Sequence, residues 1–180
     1  SRKADYVDRL GVMDSIFEKI RAVIRRLPRE FLPSGFDLEE HMPFMRIINP
    51  ETGSVISGDS GDSIGRGGRN LIYFKDESAH YEHPEMIEAS LGDNTRIQVD
   101  ISSVNGVGNV FHRKREAGVE WVDGPAIPGV TNVFVMDWRD HPEKSTKWYE
   151  DRRRNYIEQG MEHIFAQEVD RRYDASIVGT

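Results

Sequence analysis

Residues 71–80 read LIYFKDESAH and decide the fold prediction. An apolar run rich in β-forming side chains ends in two adjacent carboxylates, Asp76 and Glu77, and then breaks into small and polar residues. This pattern predicts a buried strand whose carboxyl end opens into a crevice, the place where open α/β sheets bind ligands. An adjacent acid pair can also cap the next helix or lie on a solvated turn, so the flanking segments decide between the two interpretations.

A second strand with a polar end follows the first along the chain. Residues 96–101 (RIQVDI) predict this strand, and Ser102, Ser103 and Asn105 come directly after it. Residues 84–92, between the two strands, predict a short helix that begins with a proline and ends with a glycine. Because the carboxyl ends of parallel neighbours meet at one edge of a sheet, the serines are expected at the same rim as the carboxylates.

The rest of the chain predicts further helices and strands in alternation. Asp14-Ser15 begins an amphipathic helix that Pro28 ends. The other predicted elements are a β-hairpin over residues 44–57, a glycine-rich loop over 58–70, a helix over 109–118, strands over 119–123 and 132–138, and a largely helical segment over 143–172 with a break at Gly160. This alternation predicts an α/β fold with a largely parallel sheet flanked by helices.

Composition excludes several classes of protein. The 180 residues fit a single domain, and the lack of cysteine excludes disulfides and thiolate metal sites. No apolar run reaches the ~20 residues that span a bilayer, and no signal peptide is recognisable, so a soluble protein without a membrane partner is expected. The lack of cysteine suits a reducing cytoplasm. A net charge of −7 argues against a domain that wraps nucleic acid over its whole surface. Basic runs at 113–115, 152–154 and 171–172 leave local contacts open.

The glycine-rich loop over residues 58–70 does not fit a phosphate cradle of the P-loop kind. The chain lacks G-x-x-x-x-G-K-[ST], and this loop leads into a strand rather than a helix. Its functional candidates are Arg66 and Arg69, whose planar cations suit the neutralisation of phosphoryl charge. A mobile surface loop is the alternative.

Two other kinds of site are disfavoured. His80 and His83 lie close to Glu77 in the sequence, but the zinc-protease spacing H-E-x-x-H is absent. The serine-hydrolase motif G-x-S-x-G is also absent, and Ser102 and Ser103 show no local sign of a paired base.

Four segments, in the right order, resemble the ATPase domain of the large terminase subunit, the motor that packages DNA into tailed-phage heads. They cover nearly all of the chain. The segments are SRKADYVDRLGVMDSIFEKIRAVIRRLP, similar to the strand end and helix after the Walker A segment; GRGGRNLIYFKDESAH, similar to an arginine-glycine loop and Walker B strand; ISSVNGVGN, similar to the coupling motif; and FAQEVDRRYDAS, similar to the end of the ATPase domain and the start of the linker to the nuclease domain.

The resemblance implies a P-loop NTPase fold of the ASCE or RecA-like type, truncated at its N-terminus. It assigns residues 1–170 to an incomplete ATPase domain and residues 171–180 to the start of a linker to an absent nuclease domain. Asp76 corresponds to the carboxylate that holds Mg²⁺, and Glu77 corresponds to the catalytic base. Arg66 corresponds to the arginine that a ring motor inserts into a neighbouring subunit's site.

Further roles and partners follow from the same resemblance. Arg69 competes with Arg66 for the finger role, and Ser102, Ser103 and Asn105 are implied to sense the γ-phosphate of ATP. The implied partners are double-stranded DNA, the portal protein, the small terminase subunit and other copies in a homo-oligomeric ring, in the cytoplasm of a bacterial host.

The chain departs from the pattern in two places. The Walker A loop is expected upstream of Ser1, so the fragment alone is expected to bind ATP poorly and to hydrolyse none. Lys75 stands where the strand is usually apolar, which implies that this side faces solvent or an anion. Two alternatives stay open: a superfamily 2 helicase-like ATPase fragment, since Asp76-Glu77-Ser78-Ala79 nearly matches D-E-x-[DH], and a non-catalytic α/β interaction domain.

Overall fold

The structure, a computed structural model, describes residues 3–61, 64–65 and 68–177. Helices and small sheets alternate in a mixed α/β arrangement. The α-helices are α1 (Ala4–Val7), α2 (Ile16–Arg26), α3 (Pro84–Gly92), α4 (Val110–Ala117), α5 (Thr146–Glu158) and α6 (Glu162–Glu168), and the strands are β1 (Arg46–Ile48), β2 (Val55–Ser57), β3 (Asn70–Asp76), β4 (Thr95–Ile101), β5 (Val119–Glu120) and β6 (Asn132–Val133).

The chain divides into two compact units. Residues 1–76 and 81–99 form the first unit, and residues 77–80 and 100–180 form the second unit. None of the helices in the described part of the chain has the length and apolar character that crossing a membrane requires.

In the first unit, α2 and a β-hairpin enclose a small core. The predicted helix and hairpin are both confirmed, with β1 antiparallel to β2. Ser15 precedes α2, but its hydroxyl donates to the carbonyls of Arg9 and Val12 at 3.2 and 3.0 Å instead of capping the helix. The buried core side chains are Val7, Phe17, Met42 and Ile47.

A buried ion-pair network fastens this core. The guanidinium of Arg21 binds both carboxylate oxygens of Asp8 at 2.6 and 2.7 Å and donates to the carbonyl of Pro43 at 3.0 Å. Glu18 lies 3.4 Å from the same guanidinium. Because burial of an unpaired charge is costly, the pairing is what allows Arg21 to lie 2% exposed.

The strands β3 and β4 are neighbours, as the sequence predicts. The N–H of Asn70 at the start of β3 donates to the carbonyl of Asn94, next to the start of β4, at 2.9 Å. The amino ends of the two strands therefore lie together, and the strands run parallel with α3 as their crossover connection.

The prediction that β3 is buried is wrong. Phe74 is 63% exposed, whereas Lys75 is 1% exposed. The ammonium of Lys75 pairs with Glu88 on α3 and donates to Gln98 at 2.9 Å. Tyr73 also packs against a hydrophobic cluster that includes Ile87 and Leu91 of α3. Because side chains alternate across a strand, α3 covers one face only, and Lys75 faces an anion rather than solvent.

In the second unit, the sheet of β5 and β6 is parallel but shorter than predicted. The predicted strands over 119–123 and 132–138 shrink to two residues each. The indole of Trp121 donates to the carbonyl of Gly124 at 3.0 Å and turns the chain away from β5. Asp137 caps the 3₁₀ turn Trp138–Asp140, which ends the extended segment after β6.

The charged segment that follows is helical, as predicted. It forms α5 and α6, and the break falls at Gly160, whose φ is 68°. After α6, the 3₁₀ turn Tyr173–Ile177 packs against that helix.

Candidate functional site

The chain turns sharply directly after β3. Glu77 has φ of 55°, in the left-handed region that residues other than glycine rarely adopt. Ser78–His80 then form a 3₁₀ turn. We call residues 77–80 the acid turn. The left-handed conformation costs about 1–2 kcal/mol at such a residue, and strain of this kind clusters at functional sites.

The residues after β4, here called the serine loop (residues 102–105), bind the acid turn. The hydroxyl of Ser102 accepts a hydrogen bond from the N–H of Ala79 at 3.2 Å and contacts Glu77 Oε2 at 3.4 Å. The amide of Asn105 donates to the carbonyl of Ala79 at 3.0 Å. Both backbone polar groups of Ala79 are therefore bonded to the serine loop, which fixes the position of the acid turn.

His80 joins the same cluster. Its Nε2 lies 3.3 Å from Ser103 Oγ and 3.6 Å from Glu77 Oε2. In a Ser-His-acid triad the serine and the acid bind opposite ring nitrogens, whereas here both approach Nε2. The arrangement is therefore not a hydrolase triad. No base was predicted near the serines, and the spacing of three residues between Glu77 and His80 is the sequence signal that could have indicated one.

A glycine-containing segment leads from the serine loop into α4. Gly106 and Gly108 have φ of 71° and 82°, which suits glycine at both positions. Asn109 donates to the carbonyl of Asn105 at 2.6 Å and accepts a hydrogen bond from the N–H of His112 at 2.9 Å. The helix predicted over residues 109–118 is confirmed, and Asn109, which caps it, also connects the helix to the serine loop.

The structure thus brings together Glu77, Ser102, Ser103 and Asn105, four of the residues that the sequence analysis selected. Asp76 is the last residue of β3 and is half-buried. Within the described ranges, its carboxylate makes no hydrogen bond or ion pair. An oxygen ligand without a protein partner is therefore present at the end of the strand.

The predicted arginine roles stay predictions. Arg66 lies outside the described residues. Arg69 is exposed directly before β3 in the first unit, and it forms no ion pair with any other residue that the structure describes.

The side chain at the end of β3 that could hold a Mg²⁺ ion is the carboxylate of Asp76. Mg²⁺ prefers oxygen ligands and usually keeps several waters instead of taking a complete protein cage. Asp76 offers one such ligand, its carboxylate, in the first unit. The residues that the structure describes contain no group of three or more His, Asp and Glu side chains that could hold a metal alone. The chain supplies no P-loop to hold phosphates.

No family model matches this chain, and no curated protein or solved structure matches it either. What the site does is therefore inferred from its own residues and from the motifs that they form.

Proposed function

We propose that this chain is part of the ATP-hydrolysing motor of a phage or prophage large terminase subunit, which drives DNA into procapsids. The observation that supports the proposal is the shared rim at which the acid turn meets the serine loop. There Glu77 Oε2 lies 3.4 Å from Ser102 Oγ. In such a motor a water-activating carboxylate and a phosphate-sensing hydroxyl serve the same nucleotide, so they must lie side by side. The fold in this proposal is a P-loop NTPase.

Each residue at the rim has a role in the proposed reaction. Asp76 would hold Mg²⁺, which would supply positive charge to neutralise the phosphates of ATP. Glu77 orients the attacking water and accepts its proton, and its 48% exposed side chain can reach a nucleotide in solvent. Ser102, Ser103 and Asn105 pass the loss of the γ-phosphate to the rest of the motor through their bonds to the acid turn.

Other parts of the proposed motor complete the site. The phosphate-holding loop comes from another segment of the full protein, and Arg66 or Arg69 enters the site of a neighbouring subunit as the arginine finger. Double-stranded DNA is the cargo, and the portal protein and the small terminase subunit are the partners in the host cytoplasm.

The first prediction concerns Glu77→Gln in the full-length packaging protein. We expect ATP turnover to fall about 10²- to 10⁴-fold, because an amide cannot accept the proton of water. Binding of ATP, measured by equilibrium dialysis, is expected to stay within a factor of two of wild type, a margin that separates binding from chemistry. Steady-state phosphate release is the measurement of turnover.

Glu82→Gln is the matched control, because Glu82 is an exposed carboxylate near the acid turn in sequence but outside the cluster. It is expected to hydrolyse ATP at the wild-type rate. Wild-type turnover by both Glu77→Gln and Glu82→Gln would exclude Glu77 as the base and remove the main support for the proposal.

A second candidate function is a non-catalytic α/β interaction domain. The observation in its favour is the apolar face of β3, where Ile72 and Phe74 are 42% and 63% exposed. If Phe74→Ser abolishes packaging with ATP turnover intact while Glu77→Gln changes neither, the interaction function is the better one.

A further inference from the structure

His80 is a side chain that neither the sequence motifs nor the proposed reaction assigns a role. It ends the acid turn, and 23% of its side chain is exposed. Its Nε2 lies close to both Glu77 and Ser103, at 3.6 and 3.3 Å. These residues stand on the two segments that would have to move together when a γ-phosphate is lost.

We propose that His80 is a positioning residue that ties the carboxylate of Glu77 to the hydroxyl of Ser103. The role deepens the proposed function and rests on it. In this role the imidazole limits where the carboxylate can point, and it transmits a displacement of the serine loop to that carboxylate. His80 itself does not touch the reacting atoms.

The contacts of His80 with Glu77 and Ser103 require a hydrogen on Nε2 of the imidazole. An ionised carboxylate only accepts hydrogen bonds, so the contact between Nε2 and Glu77 is attractive only when Nε2 carries hydrogen. The hydroxyl of Ser103 can accept from the same N–H, since a hydroxyl oxygen has two lone pairs. The ring therefore donates from Nε2 to Ser103 Oγ at 3.3 Å and attracts Glu77 Oε2 electrostatically at 3.6 Å, and loss of either partner leaves the N–H with the other.

The restraint at the side chain is separable from the folding of the turn. The backbone of the acid turn is fixed at Ala79, whose N–H and carbonyl bind Ser102 and Asn105 at 3.2 and 3.0 Å. Replacement of the imidazole leaves both bonds in place. Variants at position 80 are therefore expected to keep the turn while they release the carboxylate of Glu77.

The bond to Ser103 is long for a hydrogen bond and the contact with Glu77 is longer still, which suits a group that engages and disengages. Ordinary bonds of these types measure about 2.7–3.2 Å. Catalytic hydrogen bonds are often long before substrate binds and shorten in the reactive complex. A tight, permanent bond would hold Glu77 in one place through the whole cycle, whereas a loose one lets its position follow Ser103.

The link itself is tested in this chain by NMR of the histidine ring nitrogens, which report hydrogen bonding and tautomer directly. The six histidines are labelled with ¹⁵N, and the His80 signals are assigned by their loss in His80→Gln. We expect the Nε2 signal of His80 to shift in Ser103→Ala and again in Glu77→Gln, with the ring signals of the exposed His83 unchanged. Unchanged His80 signals in both variants would overturn the inference.

The consequence for the reaction is tested in the full-length protein. His80→Ala is expected to lower kcat roughly ten- to a hundredfold, the usual effect of a misplaced catalytic group, with KM for ATP unchanged. His80→Gln is expected to recover most of the loss, because its amide can donate to both acceptors. His83→Ala is the control and is expected to match wild type.

The two proposals fail in different ways in these experiments. Normal turnover in Glu77→Gln would refute the proposed ATPase function whatever His80 does. An inactive Glu77→Gln together with a fully active His80→Ala would refute only the positioning role. Failure of His80→Gln to recover any activity would also count against that role, because a donor of similar reach would then be insufficient.

Discussion

At the scale of single residues, the backbone of Glu77 distinguishes it from the neighbouring carboxylate Asp76. Its φ of 55° places a bulky L residue in the left-handed region. The bonds between Ala79 and the serine loop lie directly after it and keep the chain in this conformation. The proposed base is thus held in a strained backbone conformation, which agrees with a site selected for function over stability.

This strain gives a prediction about Glu77→Gly and Glu77→Ala. Both variants lose the carboxylate, but only glycine tolerates the left-handed conformation without steric cost. The glycine variant is expected to have a free energy of unfolding about 1 kcal/mol higher than that of the alanine variant. Urea denaturation of both proteins under the same conditions measures the difference.

Asp76 provides the control pair one residue earlier. It lies in β3, where an extended backbone favours alanine over glycine, so Asp76→Gly is expected to be less stable than Asp76→Ala. If the glycine variant is the less stable one at both positions, the strain assigned to Glu77 is absent.

The sequence predicted that Glu77 and the serines would lie together, but it did not predict how they are connected. Adjacent acids after one strand and serines after the next predicted the rim, because parallel strands present their carboxyl ends together. The contact of His80 with Ser103 depends on where a turn directs a side chain, which local composition does not encode. The inverted backbone of Glu77 was equally inaccessible, since its support comes from residues more than twenty positions away.

At the scale of elements, the serine loop is the support of the acid turn. The N–H of Ala79 has its acceptor in Ser102 Oγ, at 3.2 Å. In Ser102→Ala this buried N–H loses its partner, and the turn opens more often. We expect hydrogen exchange at the Ala79 amide to accelerate about five- to tenfold, the effect of roughly 1 kcal/mol of hydrogen bonding.

Ser103→Ala is the control, because Ser103 binds the side chain of His80 and not the backbone of the turn. It is expected to leave exchange at Ala79 at the wild-type rate. Identical exchange in Ser102→Ala and wild type would show that the turn is fixed by other contacts.

Packing and local hydrogen bonds between elements explain why the predicted burial of β3 and the predicted length of β6 were wrong. The run around Phe74 is apolar enough to predict burial, yet burial depends on the elements that pack on each face, and α3 covers only the face of Tyr73 and Lys75. The strand before Trp138 was predicted too long because side-chain bonds of Asp137 draw the chain into a 3₁₀ turn. Such local bonds compete with strand pairing and leave little trace in hydrophobic periodicity.

At the scale of the whole molecule, most of the basic runs are neutralised by the chain itself. Arg153 and Arg154 pair with Glu162 and Asp151 at 3.2 and 3.4 Å. Arg172 pairs with Asp174 at 2.7 Å, and Arg171 pairs with Asp137. The net charge of the chain is −7, and these arginines add little local positive charge because acidic side chains pair with them. The proposed DNA contact therefore has to rely on exposed pairs that phosphate can open, since such pairs are weak.

Pairing between carboxylates and arginines also predicts how the stability of the chain depends on pH. Burial would raise the pKa of Asp8, but hydrogen bonds from Arg21 and Met45 outweigh it and lower that pKa below its usual 3.8. The hydrogen bond from Arg25 lowers the pKa of Glu18. Burial of Asp137 is likewise outweighed, by the N–H of Arg139 and by Arg171, so its pKa is lowered too.

A carboxylate with a lowered folded-state pKa binds its proton more weakly in the folded chain than in the unfolded chain. Its contribution to stability is therefore complete above the unfolded pKa and is lost as pH falls through the folded pKa. We expect the free energy of unfolding to be level near neutral pH and to fall steadily from about pH 5 to pH 3. Urea denaturation at half-unit intervals of pH measures this profile.

Asp137→Asn tests whether named pairs produce the profile. Asparagine can still accept the backbone N–H of Arg139, but it neither titrates nor attracts the charge of Arg171. The variant is expected to be less stable at pH 7 and to lose stability less steeply below pH 5, so that its curve approaches that of wild type in acid. Parallel curves for the two proteins would mean that Asp137 carries the same proton affinity folded and unfolded, and that its bonds to Arg139 and Arg171 contribute nothing to acid sensitivity.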